Sequence, residues 1–261
     1  GGFDQRVLLA QEVVVHAKQP LTGVIGAKPP HIQAPGEQSK AVPMDDLFID
    51  VGFDNEKQAQ AQVRVGDLVT LKREVVDLQG SVLAGKAFDD RAGVAAVFEC
   101  FAALAKLSHE ADVYGVATVQ EEVGLRGAIT STYGIVPDLG IAIDVGFGDS
   151  PGLPESDTIK LGQGPGIAIG PHVHPKIHDR MVETAKEWNI RYSLDPSPYP
   201  GGTDAYAIQV ARAGVATILL SIPLRYMHTP IETLDYEDVK RTGRLMAMFI
   251  AGLNHEFVEG L

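Results

Sequence analysis

The sequence predicts an α/β protein: a central mixed sheet flanked by helices, with a small β-barrel-like accessory domain in front. Three observations predict it. Residues 1–80 are short Val-, Leu- and Ile-rich runs broken by Gly, Pro and Asp. Over residues 81–261 the apolar spacing alternates between a helical and a strand period. Carboxylates and one histidine then recur where expected strands end and helices begin, which is where open α/β sheets build their sites.

In the first part, residues 7–15, 21–25, 47–51, 67–72 and 82–87 read as strands, and Lys28-Pro29-Pro30-His31 and Val65-Gly66-Asp67 read as turns between them. His16 and His31 are expected at the surface or in turns. In the second part, Val94, Val97, Phe98, Phe101 and Leu104 recur at helical spacing. Asp89-Asp90 precede them, where carboxylates favour a helix start. Cys100 lies inside that stretch and reads as a buried structural thiol, since reactive cysteines need electropositive, exposed settings. A strand over 113–119, a helix over 125–133 and a strand over 139–144 follow. Gly162-Gln163-Gly164-Pro165-Gly166 lacks the Lys-Ser/Thr of a phosphate loop and reads as a bend. His172 and His174 have ligand-like spacing but sit between Pro171 and Pro175 in an irregular stretch, so ligation is not expected of them. Ile177, Met181, Ala185 and Trp188 mark an amphipathic helix with Trp188 on its buried face. A short helix over 204–212, stopped by Gly214, feeds a strand over 215–223. The last helix starts near Asp235 and carries Val239, Leu245, Phe249 and Leu253 on one face.

Composition excludes several classes. Of 261 residues 45% are hydrophobic and 21% charged, enough for a substantial core and too apolar for disorder. A formal charge of -12 argues against nucleic acid, which is held mainly by Lys and Arg on phosphates. One cysteine forms no intrachain disulfide. No run approaches the ~20 apolar residues of a membrane span, and no secretory signal is visible. The expectation is a cytoplasmic protein with no membrane and no nucleic-acid partner.

The chemistry is concentrated in Gln120-Glu121-Glu122-Val123-Gly124. Adjacent carboxylates raise one another's pKa, a cost that falls when one binds a cation and the other handles a proton. Asp89, Asp144 and His228 supply matching parts, and carboxylates with imidazole are the ligand set of zinc, cobalt or manganese sites. Two such ions about 3.5–4 Å apart activate a shared water, and a carboxylate that is not a ligand takes its proton. Gly201-Gly202-Thr203-Asp204 reads as a substrate-pocket wall, because two glycines let backbone approach a ligand closely. Arg91 reads as a partner bracing the Asp89-Asp90 pair, and Asp149 as a loop residue. Two rival functions use the same residues. A glycoside hydrolase needs paired carboxylates, yet it leaves His228 without a task and Trp188 as the sole tryptophan for a sugar platform. A non-catalytic remnant binds one metal or none. Zinc content separates the three.

Phe88-Asp89-Asp90-Arg91-Ala92-Gly93, Gln120-Glu121-Glu122-Val123-Gly124-Leu125-Arg126-Gly127-Ala128, Pro200-Gly201-Gly202-Thr203-Asp204-Ala205 and Arg225-Tyr226-Met227-His228-Thr229-Pro230-Ile231-Glu232 together resemble the M42 family of metallo-aminopeptidases, which includes the tetrahedral aminopeptidases and members with glucanase-like names. Gly2-Phe3-Asp4-Gln5-Arg6-Val7-Leu8 and Lys28-Pro29-Pro30-His31 resemble that family's β-domain. The resemblance implies removal of N-terminal residues from peptides. It implies Asp89 as a metal-bridging carboxylate, Glu122 and His228 completing one metal site, Asp144 at the other, and Glu121 as general base. It also implies a cis peptide between Asp89 and Asp90, and homo-oligomers: dimers through the β-domain and tetrahedral dodecamers. The family pairs its Asp144-type metal with a His from an Ala-His-x-Asp segment that precedes the β-domain, and no such segment occurs in this sequence. The expectation is therefore two divalent ions per subunit in the full-length family and one in this chain, which reads as N-terminally incomplete, with little or no activity of its own.

Overall fold

The computed structural model describes residues 2–33, 36, 40–199 and 201–261. It divides into two compact units, one of Val76–Met227 with Glu232–Leu261, the other of Gly2–Val75 with the short stretch His228–Ile231.

In the smaller unit, strands β1 (Glu12–His16), β2 (Pro20–Gly26) and β3 (Phe48–Asp50), helix α1 (Glu56–Gln62) and strand β4 (Val69–Leu71) follow one another. The strands form one antiparallel sheet in the order β3-β2-β1-β4. Alternation decides its faces: Val13 and Val15 of β1 point inward with Ile25 of β2, and Glu12 and His16 point out. Among the described residues no pairing joins β3 to β4. The strand expected over 7–15 is half replaced. Asp4 caps a 3-10 turn at Gln5–Val7, Ala10 takes a left-handed φ of 65°, and the ladder begins only at Glu12. Asn55 caps the unforeseen α1 by accepting from Gln58 N at 3.1 Å.

The larger unit runs β5 (Val76–Asp77), β6 (Val82–Gly85), α2 (Phe88–Leu104), α3 (Arg126–Ile135), β7 (Leu139–Phe147), β8 (Gly166–Ile169), α4 (Pro175–Glu187), β9 (Ser193–Pro196), α5 (Asp204–Gln209), β10 (Ala216–Leu224), β11 (Glu232–Asp235), α6 (Tyr236–Ala251) and α7 (His255–Glu259). Its main sheet has the order β7-β10-β8-β9 and is mixed: β7 and β10 pair parallel, β8 antiparallel to β10, and β9 parallel to β8. A smaller sheet has the order β11-β6-β5. β10 is buried from Thr217 to Leu224, so its sequence is an unbroken apolar run, as a strand covered on both faces demands. Ile177, Met181, Leu245 and Phe249 from α4 and α6 are each 0% exposed in the same core as Ile218, Leu220 and Ile222. Among the described residues no helix is long and apolar enough to cross a membrane.

Several expectations change here. Residues 113–118 carry no strand: the run has the apolar composition of one but no ladder partner among the described residues, and Tyr114, Val116 and Val119 are exposed. Trp188 is 44% exposed, because it is the C-cap of α4 and its φ/ψ of -93°/10° swings it off the buried stripe. Asp144 does not end its strand. Val145, Gly146 and Phe147 stay in parallel register with Ile222, Pro223 and Leu224, so β7 continues past it. The glycine bend before β8 is stapled by the fully buried Asp238, whose carboxylate accepts from Gly162 N at 2.6 Å, Gly164 N at 2.8 Å and Arg241 at 2.8 Å.

Helices α2 and α6 meet at Gly243. A Cβ there would stand 2.5 Å from Glu99 Cβ, 2.7 Å from Ala96 O and 3.0 Å from Cys100 N. Alanine gains about 1 kcal/mol of helix propensity over glycine, but forcing a methyl against backbone costs up to about 3 kcal/mol. Gly243→Ala is therefore expected to lower the unfolding free energy by about 2 kcal/mol. Urea titration reads it as an earlier midpoint at unchanged slope; a later midpoint would mean the helices have room.

Candidate metal centre

Asp89 is set by its backbone. Ala87 has a left-handed φ of 52°, the Asp89–Asp90 peptide is cis, and both aspartates have non-helical backbone where the first turn of α2 is kinked. Glu232, 3% exposed, accepts from Phe88 N at 2.6 Å and Asp89 N at 3.2 Å, so one buried carboxylate pins the segment that presents another. Asp90 turns back over α2, accepting from Gly93 N at 2.8 Å. Only glycine fits at 93, since a Cβ would lie 2.2 Å from Asp90 Oδ2. Arg91 donates to the carbonyls of Ala87 and Lys86, each at 2.6 Å.

Glu121 and Glu122 sit in a 3-10 turn, Glu121–Val123, entered through Gln120 at φ 59°. The turn is clamped to α3. Gly127 N donates to Val119 O at 2.8 Å, Arg126 donates to Val123 O at 2.7 Å, and a Cβ on Gly127 would stand 2.3 Å from Val119 N. From the other side Thr118 donates to Asp204 Oδ2 at 2.6 Å. His228 follows β10 in the connection to β11, at φ 60°.

One oxygen from each of Asp89 and Glu122 and one ring nitrogen of His228 lie within 4.8 Å of one another. Two carboxylates and an imidazole so placed suit a divalent cation. Glu121, next in the chain to Glu122, is outside this trio, and so is Asp144. Both nevertheless feel its charge. Burial, then Asp204, Glu122 and Asp89, push Glu121 up to about 7. Burial, then Glu121, Asp89 and Asp204, push Asp144 up to about 7 against the lowering effect of Val145 N–H. Asp90 is pushed up to about 9 by burial first and Asp144 next. Burial raises Asp204 as well. Gly201, Gly202 and Thr203 lead into α5, and a Cβ on either glycine would meet nothing within 4 Å. Pro200 of the same motif lies outside the described residues.

Sequence reasoning passed over Glu232 and Thr118. Glu232 stood at the end of the His228 segment, where a buried acid next to an apolar strand was its signal; Thr118 carried none. His172 is 2% exposed, burial holds its pKa below the usual range, and neither it nor His174 belongs to a ligand group among the described residues.

The comparisons with known proteins agree with this geometry. Residues 1–245 match the family model described as M42 glutamyl aminopeptidase. The lysyl aminopeptidase of Pyrococcus furiosus is 38% identical over 248 residues, spanning 94% of this chain and 71% of the relative. A TET aminopeptidase structure from a marine-sediment Thaumarchaeota archaeon superposes with a TM-score of 0.93 at 37% identity, covering 100% of this chain and 75% of that one. The Pyrococcus horikoshii TET1 peptidase, described as assembling into a tetrahedron or a large octahedral shell, gives a TM-score of 0.84 at 32% identity, over 97% of this chain and 75% of that one. The chain belongs to the M42 aminopeptidase family and is a peptide-bond hydrolase of that family.

The raised carboxylates give a testable pH dependence. Folding raises these pKa values, so between about pH 4 and the folded values of about 7 to about 9 the folded chain holds more protons than the unfolded one. Stability contributed by these groups is present below that window and lost as pH rises through it. Chelator-treated protein should melt at a lower temperature at about pH 8 than at about pH 5, and added zinc should restore the loss at the higher pH. A melting temperature that rises over this interval without metal would contradict the electrostatics described.

Proposed function

We propose that Asp89, Glu122 and His228 hold a catalytic divalent cation and that Glu121 is the general base for hydrolysis at the N-terminal peptide bond. The proximity of the three ligand atoms, within 4.8 Å, carries this reading. When bound, a divalent ion there supplies a Lewis acid that polarises the scissile carbonyl and makes a water acidic. Glu121 accepts that water's proton and returns it to the departing amine. Its raised pKa of about 7 suits both halves of that task. Asp144, with Asp89, would serve a second cation where the centre is dinuclear, and zinc, cobalt and manganese would all suit these donors. Gly201, Gly202, Thr203 and Asp204 form a wall of the substrate pocket, where bare glycine backbone lets the peptide lie close.

Residues 81–261 are proposed as the catalytic domain and residues 1–80 as an accessory domain for dimerisation. The naming of relatives as TET peptidases, one of them able to form a tetrahedron, supports homo-oligomers here, up to the tetrahedral dodecamer.

Glu121→Gln and Glu122→Gln separate the paired carboxylates. The first is expected to keep its metal and lose ~10²–10⁴-fold in kcat, because an amide accepts no proton from the water. The second should weaken metal binding itself, by ~10-fold or more. Elemental analysis with peptidase assays reads both. Equal metal loss in the two variants would reject the assignment.

A further inference from the structure

Asp149 stands just past the end of β7, and every polar group it has is engaged. Its N–H donates to Ile159 O at 3.1 Å and its Oδ1 accepts from Leu161 N at 2.9 Å, which ties it to the stretch 159–161. Its Oδ2 pairs with Arg225 Nη2 at 2.9 Å, and its carbonyl accepts from Arg225 Nε. One residue thus takes a single guanidinium on two oxygens, a grip whose direction a Lys ammonium does not reproduce. Asp149 itself belongs to no ligand group among the described residues.

What Arg225 holds in turn is the loop of His228. Arg225 follows directly on β10, and its backbone exchanges two hydrogen bonds with Thr233, N to O at 2.8 Å and O from N at 3.0 Å. That bridge closes the loop 226–232 on which His228 is carried. Tyr226 and His228 take left-handed φ values of 58° and 60°, which side chains other than glycine keep only where the surroundings over-determine them. Glu232, the last residue of the loop, accepts from the amides of Phe88 and Asp89. The loop therefore bears one member of the ligand trio and ends on the carboxylate that fixes another. We propose that Asp149 is a positioning residue for the metal centre: through Arg225 it sets the point and direction from which the loop presents the His228 imidazole. The Arg225 and Asp149 side chains are 30% and 37% exposed, and an ion pair so wetted adds little stability, so its contribution is geometric. This inference rests on the proposed role of His228 as a ligand and adds the group that sets its place.

The test is the zinc affinity of the 261-residue chain, read by equilibrium dialysis against buffered zinc, together with the melting temperature of the metal-free protein. Asp149→Asn keeps the size of the side chain and an acceptor for Leu161 N but gives up the charge that holds Arg225. It is expected to weaken zinc about tenfold, with little change in the metal-free melting temperature, because the pair it breaks is partly exposed. Arg225→Lys should weaken zinc in the same direction, and it serves as the second variant should Asp149→Asn misfold. The two combined should weaken zinc no further than the stronger one alone, since both break one contact. His228→Ala identifies the route: with the imidazole gone, Asp149→Asn should cost no further zinc affinity. Unchanged zinc affinity in both variants would overturn the proposal. So would an equal loss in the His228→Ala background, or a lower melting temperature with affinity intact, the mark of a merely structural role. Wild-type protein that binds zinc no better than His228→Ala would refute His228 as a ligand, and the inference with it, so the two failures are distinguishable.

Discussion

Negative charge gathered at one place in the larger unit is the constraint on which the other features of the site depend. Burial first, and then the charges of Asp89, Glu121, Glu122, Asp144 and Asp204, raise Asp90, Glu121 and Asp144. Two unit charges about 6 Å apart repel by about 3 kcal/mol at an effective dielectric of about 20. A few such pairs rival the 5–15 kcal/mol or so that holds an ordinary domain folded. The folded chain has two ways out, protonation or a cation. The raised values of Asp90, Glu121 and Asp144 show the first, and the geometry of Asp89, Glu122 and His228 provides for the second.

Holding like charges together requires a backbone that does not yield, and the fold provides it with unusual economy of side chains. Glycine at 93 admits the returning Asp90 carboxylate, and glycine at 127 admits the backbone of Val119 behind the Glu121–Val123 turn. Glu232 fixes the amides of Phe88 and Asp89 from β11, and β11 is itself held in register by β6. Asp144 is carried by β7, whose nine residues pair with the fully buried β10. The two glutamates part because a tight turn sends neighbouring side chains in different directions, so Glu122 joins the trio and Glu121 does not.

Much of this was legible in the sequence wherever periodicity and burial coincide. The buried faces of α4 and α6 and the apolar run of β10 were all readable, since spacing alone separates a helix stripe from a covered strand. Boundaries set by non-local bonds were not. The extent of β7 beyond Asp144 depends on its register with β10, and the run at 113–118 has a strand's composition without a ladder. Trp188 looked buried by spacing, but one residue of non-helical backbone moved it out. Strands β8 and β9, four residues each, were too short to rise above their turn-rich surroundings. At the site, the residues bearing charge were found because charge at strand and helix ends is costly and therefore informative. Glu232 and Thr118, which hold those residues in place, look in one dimension like any acid or hydroxyl.

The carboxylates also differ among themselves in a way that assigns chemistry. Asp90 lies deepest in electrostatic terms, at about 9, and at neutral pH it is the neutral member, contributing no charge while its Oδ1 still accepts from Gly93. Glu121 lies near 7, where a group both takes and gives up a proton readily. Environments that push neighbouring acids apart in this way are how one cluster comes to contain both structural and proton-handling groups. A divalent cation at the trio would lower the carboxylates around it. On the proposed assignment Glu121, next to Glu122 yet outside the trio, would then be ionised at neutral pH and able to take a proton from a water. Asp90, raised to about 9 by burial and its acidic neighbours, is the member of the cluster that holds its proton most tightly.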